Sequence, residues 1–204
     1  MLNTSRPGSP LYVSNQSITG ALARSGLDPD SLAGSAAWLA LSATAVTVAA
    51  IGMRRVLSGG EPALALSLNA LAALLISPIS WSHHWVWAAP ALLCLAVTGR
   101  RHHWPAGIAA AWTGFVLFTV SPLWLLPHGG NREPGWGWWE QVIGDSYVIF
   151  GAVVLVLAAR ARCRPSPMPP EPGAVRGARP ARPEQERVSF ARVWGAASGA
   201  GALG

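Results

Sequence analysis

Three observations predict an all-α integral membrane fold: about five transmembrane helices with short loops and a disordered C-terminal tail. Hydrophobic residues make up 51% of the 204-residue chain and charged residues only 12%, about half the charged fraction of an ordinary soluble domain. The apolar residues fall in runs long enough to cross a bilayer. All 15 basic residues are arginine, a bias that high-GC coding produces and that hints at an actinomycete. They cluster at the ends of the apolar runs and in the tail. The net charge of +6 therefore speaks for membrane orientation, and not for the continuous basic face that nucleic acid requires.

Residues 1–34 form an expected extracytoplasmic N-terminal segment. Its first 14 residues are polar and contain Pro and Gly, with none of the charge-then-apolar order of a signal peptide. Asn15 to Arg24 follows as a short interfacial helix, Ile18 and Leu22 lying four apart on one face. The sequons at Asn3 and Asn15 are short enough to arise by chance and carry no weight.

The transmembrane domain is expected over 35–161. Residues 35–53 form the first span, because a nearly uncharged helix of this length at ~1.5 Å per residue reaches about the ~30 Å hydrocarbon thickness. Arg54-Arg55 closes it. The second, 62–79, starts at Pro62 and carries Asn69 as its strongly polar interior residue. The third, 85–99, stops at Arg100-Arg101. The fourth, 104–126, has Pro105 suited to a first turn and Pro122 expected to kink or end it. A loop over 127–141 leads to the fifth, 142–159, which ends in Arg160, Arg162 and Arg164. Residues 162–204 are rich in Pro, Arg, Gly and Ala without periodicity, the composition of a disordered tail.

The positive-inside rule orients these spans. With Arg54-Arg55, Arg100-Arg101 and the final arginines cytoplasmic, twelve arginines lie inside and three, Arg6, Arg24 and Arg132, outside. The outer surface then collects Asp28, Asp30, Glu133, Glu140, His83, His84, His128 and most of the tryptophans. His102-His103 fall inside and are expected to be solvated at the headgroups.

The best functional lead is the turn Ser77-Pro78-Ile79-Ser80-Trp81-Ser82-His83-His84-Trp85-Val86-Trp87. Tryptophans favour the headgroup level and fix the depth of the turn, which leaves two imidazoles at the edge of the hydrocarbon, where an ionisable group points to function. From the two histidines alone, a polar cap ending two helices is the preferred reading. Several chemistries lack their residues: there is no phosphate-binding P-loop, His-Glu-x-x-His, Cys-x-x-Cys or nucleophile elbow. Adjacent histidines diverge on a helix or strand, so no metal site is expected. Cys94 and Cys163 are too far apart to imply a disulfide. An inert thiol is the preferred reading of Cys163, with acylation as the alternative.

Two blocks carry a family resemblance. Asn15-Gln16-Ser17-Ile18-Thr19-Gly20 with Arg24, and Ser77-Pro78-Ile79-Ser80-Trp81 with His83-His84, resemble the actinobacterial polyprenol-phosphate-mannose-dependent α-(1→2)-mannosyltransferases. These are integral-membrane glycosyltransferases of family 87, of the GT-C class. The second block is the more specific. The resemblance covers roughly residues 12–159 and corresponds to the C-terminal half of such enzymes. It implies mannosyl transfer on the extracytoplasmic face, from a polyprenyl-phosphate-mannose donor to a glycolipid or glycan acceptor, with no cofactor. On this reading His83 and His84 are catalytic and contact the departing phosphate. Asn15, Gln16, Ser17, Arg24, Trp81 and Trp85 bind substrate, the tryptophans as a platform for sugar or prenyl chain.

The family places its base, an acidic residue, in the first extracytoplasmic loop of the N-terminal half, and that half is missing here. Asp28 and Asp30 read as turn and cap residues. Asp145 sits where a helix N-terminus favours an acid in any case. The expectation is an incomplete mannosyltransferase whose base carboxylate comes from elsewhere. The competing classes are a small polytopic transport or assembly subunit, with Asn69, the histidine turn and Asp145 lining a path, and an inactive remnant.

Overall fold

The computed structural model describes residues 9–129 and 132–163. The expected tail lies outside them from residue 164 onward, as does the sequon at Asn3. The described residues fold into seven α-helices joined by short turns and three 3-10 segments: α1 Ile18–Arg24, α2 Leu32–Ser58, α3 Pro62–Ile76, α4 Ala88–Arg101, α5 Pro105–Val120, α6 Trp138–Gly144 and α7 Ser146–Arg160.

The boundaries follow local chemistry. Ser17 and Ser31 accept backbone N–H bonds from Gly20 and Gly34 and so cap α1 and α2,. Pro62 and Pro105 occupy the first turns of α3 and α5, where a missing N–H costs nothing. Helix α3 stops at Ile76 instead of reaching residue 79, because Pro78 forces the preceding residue out of the helical region; Ser77 has ψ 138°. Ser121 takes a left-handed conformation, φ 48°, and ends α5 at Val120, just ahead of Pro122.

All five expected spans are helical, but length and apolarity distinguish them. Leu32–Ser58 and the continuous stretch Pro105–Leu125 are each long and apolar enough to cross a membrane, and α6 with α7 would make a third span although bent by 69°. Helix α3 is apolar but has only 15 residues. The third expected span begins as a 3-10 helix, Ser82–Trp87, before α4 takes over. By length and composition, two helices among the described residues can cross a membrane, or three if the bent pair is one span.

Helix α3 is the centre of the packing. Leu64, Leu68, Leu71 and Leu75 recur at helical spacing and are all buried, so one continuous face lies in the core. Helices α2, α4 and α7 pack around it, with α5 outside α4. The approach of α2 to α7 depends on Gly52, where a Cβ would stand 3.1 Å from Ala158 Cβ. The outer surface is apolar rather than charged: Leu39, Val46, Ile51, Trp112, Phe115 and Val120 are exposed. Water would penalise such a shell, whereas a bilayer accommodates it.

Candidate active site

The histidine turn is held by a buried polar loop. Residues 9–17 run under the Pro78–Ser82 turn, and Asn15 forms an antiparallel bridge with Trp81. Ser14, Asn15, Gln16 and Ser17 are all buried, which is costly unless each polar group finds a partner. Here they do. Asn15 donates from Nδ2 to the carbonyls of Pro10 and Pro78, both at 3.3 Å. Its Oδ1 accepts from Ser80 N–H and the Ser17 hydroxyl, both at 3.0 Å, so a four-bond amide is fully used.

Gln16 reaches further. Its Nε2 donates to Val13 O at 2.8 Å and to Gly144 O at 2.6 Å, and its Oε1 accepts from Tyr147 N–H at 3.3 Å. Its backbone N–H donates to Ser80 O at 2.7 Å, and its carbonyl accepts from Trp85 Nε1 at 3.1 Å. One residue thus ties the loop, the histidine turn and the junction of α6 with α7. Arg24 closes the same junction. Its Nε donates to Asp145 Oδ1 at 2.9 Å, Nη2 pairs with the same oxygen, and Nη1 donates to the carbonyls of Tyr12 and Asn15.

These contacts place the expected site residues in two groups. His83 and His84 are exposed, with ring centroids 4.5 Å apart in an edge-to-face arrangement. Neighbouring side chains were expected to diverge, but these two rings meet within the 3-10 segment Ser82–Trp87. Among the described residues, no three His, Cys, Asp or Glu side chains gather in a way that could hold a metal ion. Trp81 is half-buried, edge-on to Tyr12. The other group faces inward. Asn15, Gln16, Ser17 and Arg24 are sealed, and Trp85 is buried beside Phe118 and Tyr147. Gly151 makes room for that indole, since a Cβ there would stand 2.9 Å from Trp85 Cη2. Asn15, Gln16, Ser17 and Arg24 are engaged with protein partners in this arrangement, while Trp85 also borders the groove below the turn.

Below the turn, a groove of about 670 Å³ runs between α4 and α5. Ser82 and His83 line it together with apolar side chains that include Leu92, Trp112, Phe115 and Phe118. It pairs titratable groups with an apolar channel.

Several expected roles change. Asp28 Oδ1 accepts the Asp30 N–H at 3.0 Å, in keeping with a turn residue. Asp145 makes no side-chain cap on α7; its carboxylate is the counter-ion of Arg24, a pairing with no local sequence signal. Glu133 and Trp136, expected on the outer surface, are buried. Glu133 accepts Gly129 N–H at 3.0 Å, and Trp136 donates to Pro127 O at 2.8 Å.

The expectation of solvated His102 and His103 holds for only one of them. His103 is exposed, but the His102 side chain is 7% exposed, with Nε2 3.1 Å from Glu61 Oε1. That oxygen also accepts from Arg101 Nη1 at 2.8 Å, while Oε2 takes the Thr98 hydroxyl at 3.2 Å. Sequence reading missed Glu61. The available signal was a lone acid in one inter-helix turn facing Arg and His in the next.

Comparison with known proteins gives a consistent answer. The model of glycosyltransferase family 87 matches residues 2–78. A polyprenol-phosphate-mannose-dependent alpha-(1-2)-phosphatidylinositol mannoside mannosyltransferase of Mycobacterium tuberculosis is 40% identical over 156 residues, covering 76% of this chain and 36% of that protein. The protein of the same description from Mycolicibacterium smegmatis is 40% identical over 166 residues, with the same coverage. A Mycobacterium tuberculosis protein described as a phosphatidylinositol pentamannoside mannosyltransferase is 38% identical over 137 residues. No solved structure matches significantly. The chain spans about a third of the length of the curated relatives it matches. Sharing 40% identity with two of them across three-quarters of its own length, the chain is similar to these mannosyltransferases, and its residues 2–78 match the glycosyltransferase family 87 model.

Proposed function

We propose that this chain forms the phosphate-facing part of a membrane mannosyltransferase, which moves mannose from polyprenyl-phosphate-mannose to a glycolipid or glycan acceptor on the extracytoplasmic side. The observation that carries this reading is the exposed His83-His84 pair, of which His83 lines the apolar groove between α4 and α5. A donor with a polar head and a prenyl tail matches both parts of that feature. In the transfer, an acceptor hydroxyl oxygen bonds to the anomeric carbon as the bond from that carbon to the phosphate oxygen breaks. The hydroxyl proton goes to a carboxylate, and the phosphate leaves with the electron pair. His83 and His84 stabilise the departing phosphate by hydrogen bonding or charge. Asn15, Gln16, Ser17 and Arg24 act as positioning residues, and Trp81 is the tryptophan left open to a sugar.

The base is the missing piece. Asp145 is held by Arg24 and Asp28 by its own turn, and the base on this reading is a carboxylate in the part of the relatives' length outside the match. Five crossings, with the arginine-rich turns and the residue 162–204 tail cytoplasmic, complete the reading; residues 1–34 and 35–161 then form the outer segment and the membrane domain.

The test is mannose transfer from polyprenyl-phosphate-mannose in membranes containing this chain, alone and with the unmatched portion of the Mycobacterium tuberculosis relative co-expressed. Activity is expected only with both. Replacing His83 or His84 with Ala in that pair is expected to lower transfer about 10²-fold, the scale of losing one donor to a developing anion, with insertion intact. Equal losses on replacing His103 would overturn the assignment, and proton-linked flux without transfer would favour a transport subunit.

A further inference from the structure

Helix α3 leaves one side open, where exposed Ala63 and partly exposed Ala70 and Leu74 flank a central stripe. Pro62, Leu66, Asn69 and Ala73 are exposed and follow one another at i, i+4, i+7 and i+11, which places them on a single stripe about as wide as one helix. The remaining faces, through Leu64, Leu68, Leu71 and Leu75, are buried by the neighbouring elements. A lipid-facing stripe should be apolar throughout, and this one carries an amide at its centre. Asn69 lies seven residues from either end of a 15-residue apolar helix, ~10 Å from each at 1.5 Å per residue. Its side chain makes no hydrogen bond to any described residue. Its side chain is too short to reach the interface as Lys or Arg would. In hydrocarbon an unmet amide costs free energy that a facing polar side chain recovers.

The length of the relatives suggests what covers it. Only 36% of the Mycobacterium tuberculosis protein is matched by this chain, so most of its sequence is free to supply further membrane helices. The whole stripe falls inside residues 2–78, the part that matches the family model. A second copy of this chain would also meet Asn69, but it would repeat only the matched third of the relatives' length.

We infer that the Pro62–Leu66–Asn69–Ala73 stripe of α3 seats a membrane helix from the remainder of a family-87 polypeptide, and that this helix presents an amide, hydroxyl or carboxyl group to Asn69. This docking role depends on α3 lying in the membrane but is independent of what the histidines do.

The experiment co-expresses this full chain with a tagged polypeptide comprising the unmatched portion of the Mycobacterium tuberculosis relative, and measures recovery of the chain through the tag after mild detergent extraction. Asn69→Leu, which suits an apolar helix and preserves folding, is expected to lower recovery about fivefold, the scale of one interhelical polar contact in a membrane. Asn69→Gln is expected to retain it, and Thr47→Ala on the exposed face of α2 to leave it unchanged. His83→Ala should also leave recovery unchanged while lowering transfer, so the docking and catalytic readings fail separately. In a version lacking Cys94 and Cys163, Asn69→Cys should cross-link to single cysteines placed in the added polypeptide. Failure to recover the unaltered chain, wild-type recovery of Asn69→Leu, or cross-links joining two copies of this chain regardless of the added polypeptide would each overturn the proposal.

Discussion

Arg24 and Asp145 are 121 residues apart in sequence and joined in the structure by a buried ion pair. Removing one partner strands the other charge, which costs about 3–5 kcal/mol, whereas removing both is often nearly neutral. Arg24→Leu is therefore expected to lower the thermal midpoint of the detergent-purified protein substantially, and Arg24→Leu with Asp145→Leu to recover most of the loss. A ligand-binding Arg24 would behave differently: its loss would weaken donor binding and leave the midpoint in place. Sequence singled out Arg24 as a substrate-binding residue but not the carboxylate that faces it, Asp145. A side chain announces its chemistry from the sequence, but its counter-ion, lying more than a hundred residues away, leaves no periodic trace. The exposed histidines were legible for the opposite reason, because Pro78 and the tryptophans that define their turn are adjacent in sequence.

At the scale of elements, one carboxylate joins two helical turns. Glu61, between α2 and α3, holds Arg101, His102 and Thr98 at the end of α4. Glu61→Gln is expected to destabilise this junction by about 1–3 kcal/mol, the cost of leaving buried polar groups poorly paired, read as faster proteolysis of the α4–α5 turn. Cys163 reports on the same place. Burial pushes its thiol above the usual range, and the Glu61 charge pushes it further. A raised pKa means less thiolate at neutral pH, so alkylation of Cys163 should be slow there and accelerate as pH rises. Glu61→Gln removes the repulsive charge, lowers the thiol pKa and should speed alkylation at pH 8. No change in rate would refute that electrostatic link. Element identity was legible because helices of 15 to 27 residues depend on local apolarity. Their ends shifted where proline rules or the left-handed Ser121 intervened, and the bend at Asp145 falls at Gly144-Asp145-Ser146, a polar break inside the expected fifth span.

For the whole molecule, the expected sidedness rests on arginine asymmetry and has a direct check. In a chain without native cysteines, single cysteines at His84 and His103, both exposed, should react with an impermeant maleimide from opposite sides of sealed vesicles; labelling from one side would refute the alternating crossings. The bond from Gln16 to Gly144 also gives the molecule a clock, because it closes a loop of 128 residues. At a synthesis rate of about 5–20 residues per second, its two halves emerge roughly ten seconds apart. Until the last helix arrives, the amide of Gln16 is without two of its three side-chain partners and the carboxylate partner of Arg24 does not yet exist. The ribosome thus delivers the histidine turn before the chain can hold it still, and the site is set only when the α6–α7 junction has left the tunnel.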